Sequence, residues 1–270
     1  MGAEQAAFDA AQKAYGVAAD LANKEIVKLV ASAADGGLRP LLERVWPSMV
    51  EKYGETSAQI ALENYIATRS GYHFKDGFDP TIPRETLFRM CDKLAASDLK
   101  DGDFSDTDAA TTYLQGRMTE HMYSVSDTML MRWAGRDPKH PRWALVPEPG
   151  ACAWCLMLAS RGFVYVSDGT LAPARHPHCR CTPTISYSKS PKRSGFDPEA
   201  IYDKYKEYRG DLTEWNTENG YWKQKYQLKK ELDELDLRDE DDAARYWKRK
   251  LHLPMDLDDD KLYDAVTHGY

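Results

Sequence analysis

Residues 152–181 read CAWCLMLASRGFVYVSDGTLAPARHPHCRC, and four of the chain's five cysteines fall within them. The CxxC at Cys152 and Cys155 sets two thiols about one turn apart, within reach of a single ion. The CxC at Cys179 and Cys181, with His176 and His178 beside it, offers the other half of a tetrahedral shell. Between the halves, the turn Arg161-Gly162 leads into FVYVS (Phe163 to Ser167), which alternates as a strand does. The layout is that of a zinc knuckle, two ligand-bearing turns closed by a short hairpin. It makes Cys152, Cys155, His176, His178, Cys179 and Cys181 the candidate ligands of a structural zinc, with Cys152 and Cys155 the firmest. Which of the other four complete the shell stays open.

Other chemistries use the same residue types. Two disulfides would satisfy the four thiols in an oxidising compartment, with three possible connectivities. A thioredoxin-like CxxC belongs at the start of a helix after a strand in a βαβ unit, and no such unit is legible. A zinc deaminase places H-x-E before P-C-x-x-C, whereas here the histidines follow the CxxC without a glutamate beside them. A nucleophilic Cys179 activated by His176 is the remaining enzymatic possibility.

Outward from this stretch, the preceding residues are helical by period. Phe8, Ala11, Tyr15, Ala18, Ala22, Ile26, Leu29 and Val30 recur at spacings of three and four, and Asp35-Gly36-Gly37 predicts the end of that helix. A second helix is predicted from Leu38 with Pro47 inside it, Gly54 as punctuation, and a third from Glu55 to Arg69. The loop after it carries His73, read as a surface residue. A helix from Pro83 to Ala96 buries Cys91 as a small hydrophobe. The acidic turn SDLKDGDFSDTD (Ser97 to Asp108) follows, and then a long helix from Asp106 to Trp133, with Asp106 or Ser105 as N-cap. His121 falls on the apolar face of that helix and reads as a satisfied core histidine. WALV (Trp143 to Val146) is predicted as a short strand that pairs with FVYVS.

Beyond Thr182, SYSKSPKRSG (Ser186 to Gly195) reads as a solvated linker whose Lys189, Lys192 and Arg193 offer contacts to nucleic acid. Asp197-Pro198 opens a further helix. Leu228, Leu232 and Leu235 mark another, and alternating acidic and basic blocks run to Tyr270. The tail is rich in Tyr and Trp but poor in aliphatic bulk, a composition suited to arms that pack on a partner. The predicted fold is mainly α with a small α+β zinc-knuckle-like module and an extended helical C-terminal tail. Its parts are a helical domain at 1–140, the Cys/His module at 141–187, and the linker and tail at 188–270.

Whole-chain properties narrow the function. A net charge of −7 over 270 residues argues against coating duplex DNA, which needs a basic face. No apolar run approaches the ~20 residues of a membrane span, and the N-terminus lacks the apolar core of a signal peptide. Synthesis in a reducing cytosol is expected. No nucleophile elbow, HExxH helix or Gly-rich phosphate loop follows Thr182, so no catalytic residues are assigned.

The run DTMLMRWAGRDPKHPRWALVPEPGACAWCLMLASRGFVY, followed by HPHCRC, resembles the Mu gpF-like minor head proteins of tailed bacteriophages, in the branch found in phages of actinobacteria. The likeness spans about residues 5 to 187 and includes EKYGETSAQIALENYIATRSG. It implies a non-enzymatic, low-copy virion component made in the host cytoplasm. Such a protein associates with the portal and with capsid or scaffolding proteins during head morphogenesis, and in some members it is implicated in genome ejection. A zinc-dependent enzyme of nuclease, deaminase or protease type is the alternative expectation.

Overall fold

The computed structural model describes residues 2–33, 37–164 and 176–207. Four long helices make the body: α1 (Ala3–Ala31), α2 (Leu38–Ser70), α3 (Arg84–Asp101) and α4 (Thr107–Arg136). They are followed by strand β1 (Arg142–Val146), the short helix α5 (Ala153–Ala159) and strand β2 (Thr182–Ser186). A further helical run occupies 198–207. The fold is mainly helical with one two-stranded sheet, as the sequence predicts.

Helix α2 is the hub, packing against α1, α3 and α4. Its inward stripe (Leu42, Trp46, Val50, Tyr53, Ala58, Ala61, Tyr65) meets Tyr15, Ala22 and Ile26 of α1 and Leu114, Met118, Met122 and Met129 of α4, all buried. Each such large side chain withdrawn from water stabilises the fold by about 1.5–3 kcal/mol before conformational entropy is charged against it. The expected break at Gly54 does not occur, and one helix of 33 residues replaces two. Gly54 serves packing instead. A Cβ there would lie 2.5 Å from Cys91 Sγ, so the glycine lets α3 come close to α2. Cys91 is buried as expected, and burial pushes its thiol up to about 11.

Helix α3 also outruns its expectation, and Asp98, read as part of an acidic turn, lies inside it and is fully buried. Its carboxylate accepts from Trp46 Nε1 (3.0 Å), Arg117 Nε (2.6 Å) and His121 Nε2 (2.6 Å), so a single acid ties α2, α3 and α4 together. Burial opposes its charge, but the His121 and Arg117 bonds outweigh burial and hold the carboxyl below the usual range. His121 is a core histidine, as its apolar surroundings predict, although its Nδ1 has no partner among the described residues. Asp106 caps α4 by accepting from Ala109 N at 2.7 Å, as expected. A second buried acid, Asp137, caps the far end of α4. It accepts from Tyr65 Oη (3.0 Å), Arg69 Nε (2.9 Å), Lys139 N (2.8 Å) and Tyr187 Oη (2.6 Å).

The WALV strand forms, but its partner corrects the sequence reading. β1 pairs antiparallel with β2, Arg142 opposite Ser186 and Val146 opposite Thr182. Phe163 and Val164 lie in neither strand, and residues 165–167 of FVYVS lie outside the described residues. Every residue of β2 is buried. It packs against α1, α2 and α4, which fixes the sheet to the helical body.

The segment read as a solvated linker is also tied down. Arg193 is buried, donating to Glu4 (2.8 Å), Thr184 Oγ1 (3.2 Å) and the Ile185 carbonyl (2.5 Å), with its guanidinium 5.4 Å from the Phe163 ring centre. Glu4 also accepts from Tyr72 Oη, Ser186 Oγ and Tyr187 N, so the first turn of α1 clasps the chain just after β2. Asp197 caps the helical run at 198–207 through Glu199 N (3.0 Å) and Ala200 N (3.3 Å). The predicted helix around Leu228 to Leu235 and the charged blocks beyond it lie outside the described residues.

Candidate metal centre

The register of the small sheet brings the two cysteine motifs together. Val146 ends β1 opposite Thr182, so the chain that leaves at Pro147 and returns at Cys181 is closed at its base. A turn at Gly150 (φ 83°), with Ala151 N donating to the Glu148 carbonyl at 3.1 Å, carries the backbone up to Cys152. Glu148 Oε1 then accepts from Arg180 N at 2.7 Å, bracing the CxC against the outgoing loop. Helix α5 begins at Ala153 and sets Cys155 inward, next to Leu156 and Leu158 in the main core.

Five of the six sequence-predicted ligands meet here. The donor atoms of Cys155, Cys179 and Cys181 lie within 4.8 Å of one another, and so do those of Cys152, Cys155 and His176. Cys155 belongs to both groups and its sulfur is 3.7 Å from that of Cys179. Cys155, Cys179 and Cys181 are buried, Cys152 is half-buried and His176 is exposed. None of the five cysteines is joined in a disulfide. His176 Nδ1 lies 2.9 Å from the Pro177 carbonyl oxygen, and because a carbonyl only accepts, that nitrogen carries the hydrogen. In the neutral ring Nε2 is then the nitrogen with a lone pair to offer a metal.

His178 is not among either donor group. Its backbone is left-handed (φ 64°) and its N–H donates to the Gly116 carbonyl on α4 at 3.3 Å. The ring lies against that same glycine. A Cβ on Gly116 would sit 2.8 Å from His178 Nε2 and 2.9 Å from Pro177 Cβ. His178 and Pro177 thus seat the ligand-bearing turn on the helical body. Gly116 is the residue the sequence reading missed, and an interior helical glycine facing a Pro-His turn was its only signal.

The electrostatics of the cluster follow from crowded sulfur. Contact with the Cys179 and Cys181 sulfurs, reinforced by burial, raises the Cys155 thiol far above the ordinary cysteine range. For Cys181 the Cys155 contact acts in the opposite direction, but Cys179 and burial outweigh it and the thiol is pushed up to about 12. A bound cation would favour the ionised form of these crowded sulfurs. Three sulfurs at this separation can hold a thiophilic metal ion, and Cys152 and His176 form with Cys155 a second set of three donors.

The model of the family described as VG15 protein matches residues 3–208, which span the helical body, the sheet and the cysteine cluster. The chain belongs to the VG15 protein family. A viral family is consistent with the phage origin that the motifs imply. No curated protein and no solved structure matches the chain. Among the described residues, no helix of this VG15 protein is long and apolar enough to cross a membrane.

Proposed function

We propose that this protein is a non-enzymatic minor head component of a tailed phage, docking on the portal or inner head during head morphogenesis, with its cysteine cluster clasping one structural zinc ion. The observation that carries the reading is the convergence of the CxxC and CxC sulfurs on Cys155, in a chain of a viral family. Support for the minor head assignment comes from the resemblance of the DTMLMRWAGRDPKHPRWALV…CAWC…HPHCRC run to Mu gpF-like proteins. The zinc shell is drawn from Cys155, Cys179 and Cys181, with Cys152 or His176 as the fourth donor. Zinc supplies cohesion where few aliphatic residues are available, on a scale of about 10 kcal/mol or more in isolated finger peptides at neutral pH.

The role follows from the fold. The clasp fixes the loop between β1 and β2, the Gly116–His178 contact transmits that order to α4, and the helical body presents its surface to the assembling head. Of the basic trio read as DNA contacts, Lys189 and Lys192 are exposed, whereas Arg193 is committed to Glu4. The test is assembly. A phage carrying Cys155→Ser should yield heads that lack this protein or fail to mature, as seen by electron microscopy and by protein gels of purified particles. Normal infectious particles containing the variant would overturn the clasp's role. The zinc-enzyme alternative requires an open coordination position and only three protein ligands.

A further inference from the structure

The five donors form two groups of three that share Cys155, and the thiols among them are arranged as a path. Cys152 is the half-buried thiol, Cys155 is buried beside it, and Cys179 is buried 3.7 Å beyond Cys155. The two donor groups overlap only at Cys155, so any exchange between the outer thiol and the inner pair passes through that sulfur. A disulfide needs a sulfur separation of about 2.05 Å, so Cys155 and Cys179 need close by less than about 2 Å. The buried pair is shielded from solvent, whereas Cys152 is reachable by a small oxidant.

We propose that the cluster is a thiol relay regulating its own metal, in which a hydroperoxide oxidises Cys152 and the oxidation passes through Cys155 to Cys179. This rests on the metal reading above. In the first step the Cys152 sulfur attacks the peroxide oxygen, the O–O bond breaks, and a sulfenic acid and one water form. Cys155 then attacks the Cys152 sulfur, releasing a second water and closing the Cys152–Cys155 disulfide. Cys179 next attacks Cys155, expelling Cys152 as a thiol and leaving Cys155–Cys179 bonded. With hydrogen peroxide as the probe, the sum is two thiols and one peroxide giving one disulfide and two waters. Two of the three buried sulfurs are then lost as thiolate ligands, and the ion leaves. A thiol reductant reverses the sequence.

The experiment uses the full chain loaded with zinc, with Cys91→Ser to remove the unrelated thiol. Hydrogen peroxide is added at about one equivalent, zinc release is followed with a chromophoric chelator, and disulfides are mapped by mass spectrometry on quenched samples. The expected result is Cys152–Cys155 early and Cys155–Cys179 late, zinc release in step with the second, and rebinding after reduction. Cys152→Ser should slow release at least about tenfold, since the buried pair is then reached directly or not at all. If that variant does not hold zinc, the order of disulfides in the Cys91→Ser protein decides alone. Release without any Cys155 disulfide, or a Cys155–Cys179 bond that forms first and equally fast with Cys152→Ser, overturns the relay. A reduced chain that takes up no zinc at all overturns the metal reading instead.

Discussion

The helical body and the cysteine module hold themselves together by different means. In the body, cohesion comes from a continuous apolar stripe on α2 and from buried acids, Asp98 and Asp137, each satisfied by several donors on different helices. In the module, α5 has seven residues and the sheet two strands, elements too short to stand alone. Their order depends on the β1–β2 register, on the seat at Gly116, and on sulfurs that gather within reach of one ion.

Predictions that break or sharpen this contrast run from large to small. The greatest effect is expected for Cys155→Ser, which removes the donor common to both groups. Metal content should fall from about one ion per chain to under about a tenth of that, while far-UV circular dichroism of the helices barely changes. Loss of the helical signal with the metal would erase the distinction between the two regions.

Next is Asp98→Ala, which leaves the half-buried Arg117 and the buried His121 donors without their carboxylate. Breaking a buried ion pair typically costs about 3–5 kcal/mol, so the urea midpoint should drop steeply. Metal affinity should move little, because Asp98 touches no donor of the cluster.

Acid should attack the body before any comparable alkaline effect. Asp98 and Asp137 are opposed by burial but held below the ordinary carboxylate range by their donors, and so is Glu4 through Tyr72, Arg193 and Ser186. A depressed folded-state pKa contributes stability that is complete above the unfolded value, about 4, and is lost as pH falls through the folded values. Thermal midpoints should therefore hold down to about pH 4–5 and fall below it. Asp98→Asn should flatten part of that fall.

Smaller still is Gly116→Ala. The added methyl should gain up to about 1 kcal/mol of helix propensity yet displace the rigid Pro177 ring and the His178 imidazole. Overpacking costs about 1–3 kcal/mol. A net loss of about 1 kcal/mol and faster metal dissociation are expected by calorimetry and chelator competition. His178→Ala should leave metal stoichiometry unchanged, since that ring packs on α4 and lies outside both donor groups.

The sequence made the cysteine cluster legible because ligand spacing is a local property, and CxxC and HxHCxC survive any tertiary arrangement. The long helices were legible for a similar reason, their apolar period repeating over many turns. The partner of β1 was not. TPTIS is five residues with a proline and no alternation, whereas FVYVS has the better strand composition, and only burial against α1, α2 and α4 selects the former. Asp98 was hidden in the same way. In SDLKDGD it looks like turn chemistry, and its three donors come from residues 19 to 52 positions away. Arg193 reads as a linker cation until Glu4, 189 positions earlier in the sequence, is placed beside it.

The most direct test of the central claim is the absorption spectrum of the full chain reconstituted with cobalt(II) in place of zinc. One ion per chain, with intense d–d bands of tetrahedral geometry and charge-transfer bands of three or more thiolates that vanish in Cys155→Ser, is the predicted result. Weak octahedral bands, or a chain that takes up no cobalt while its helices remain folded, would contradict it.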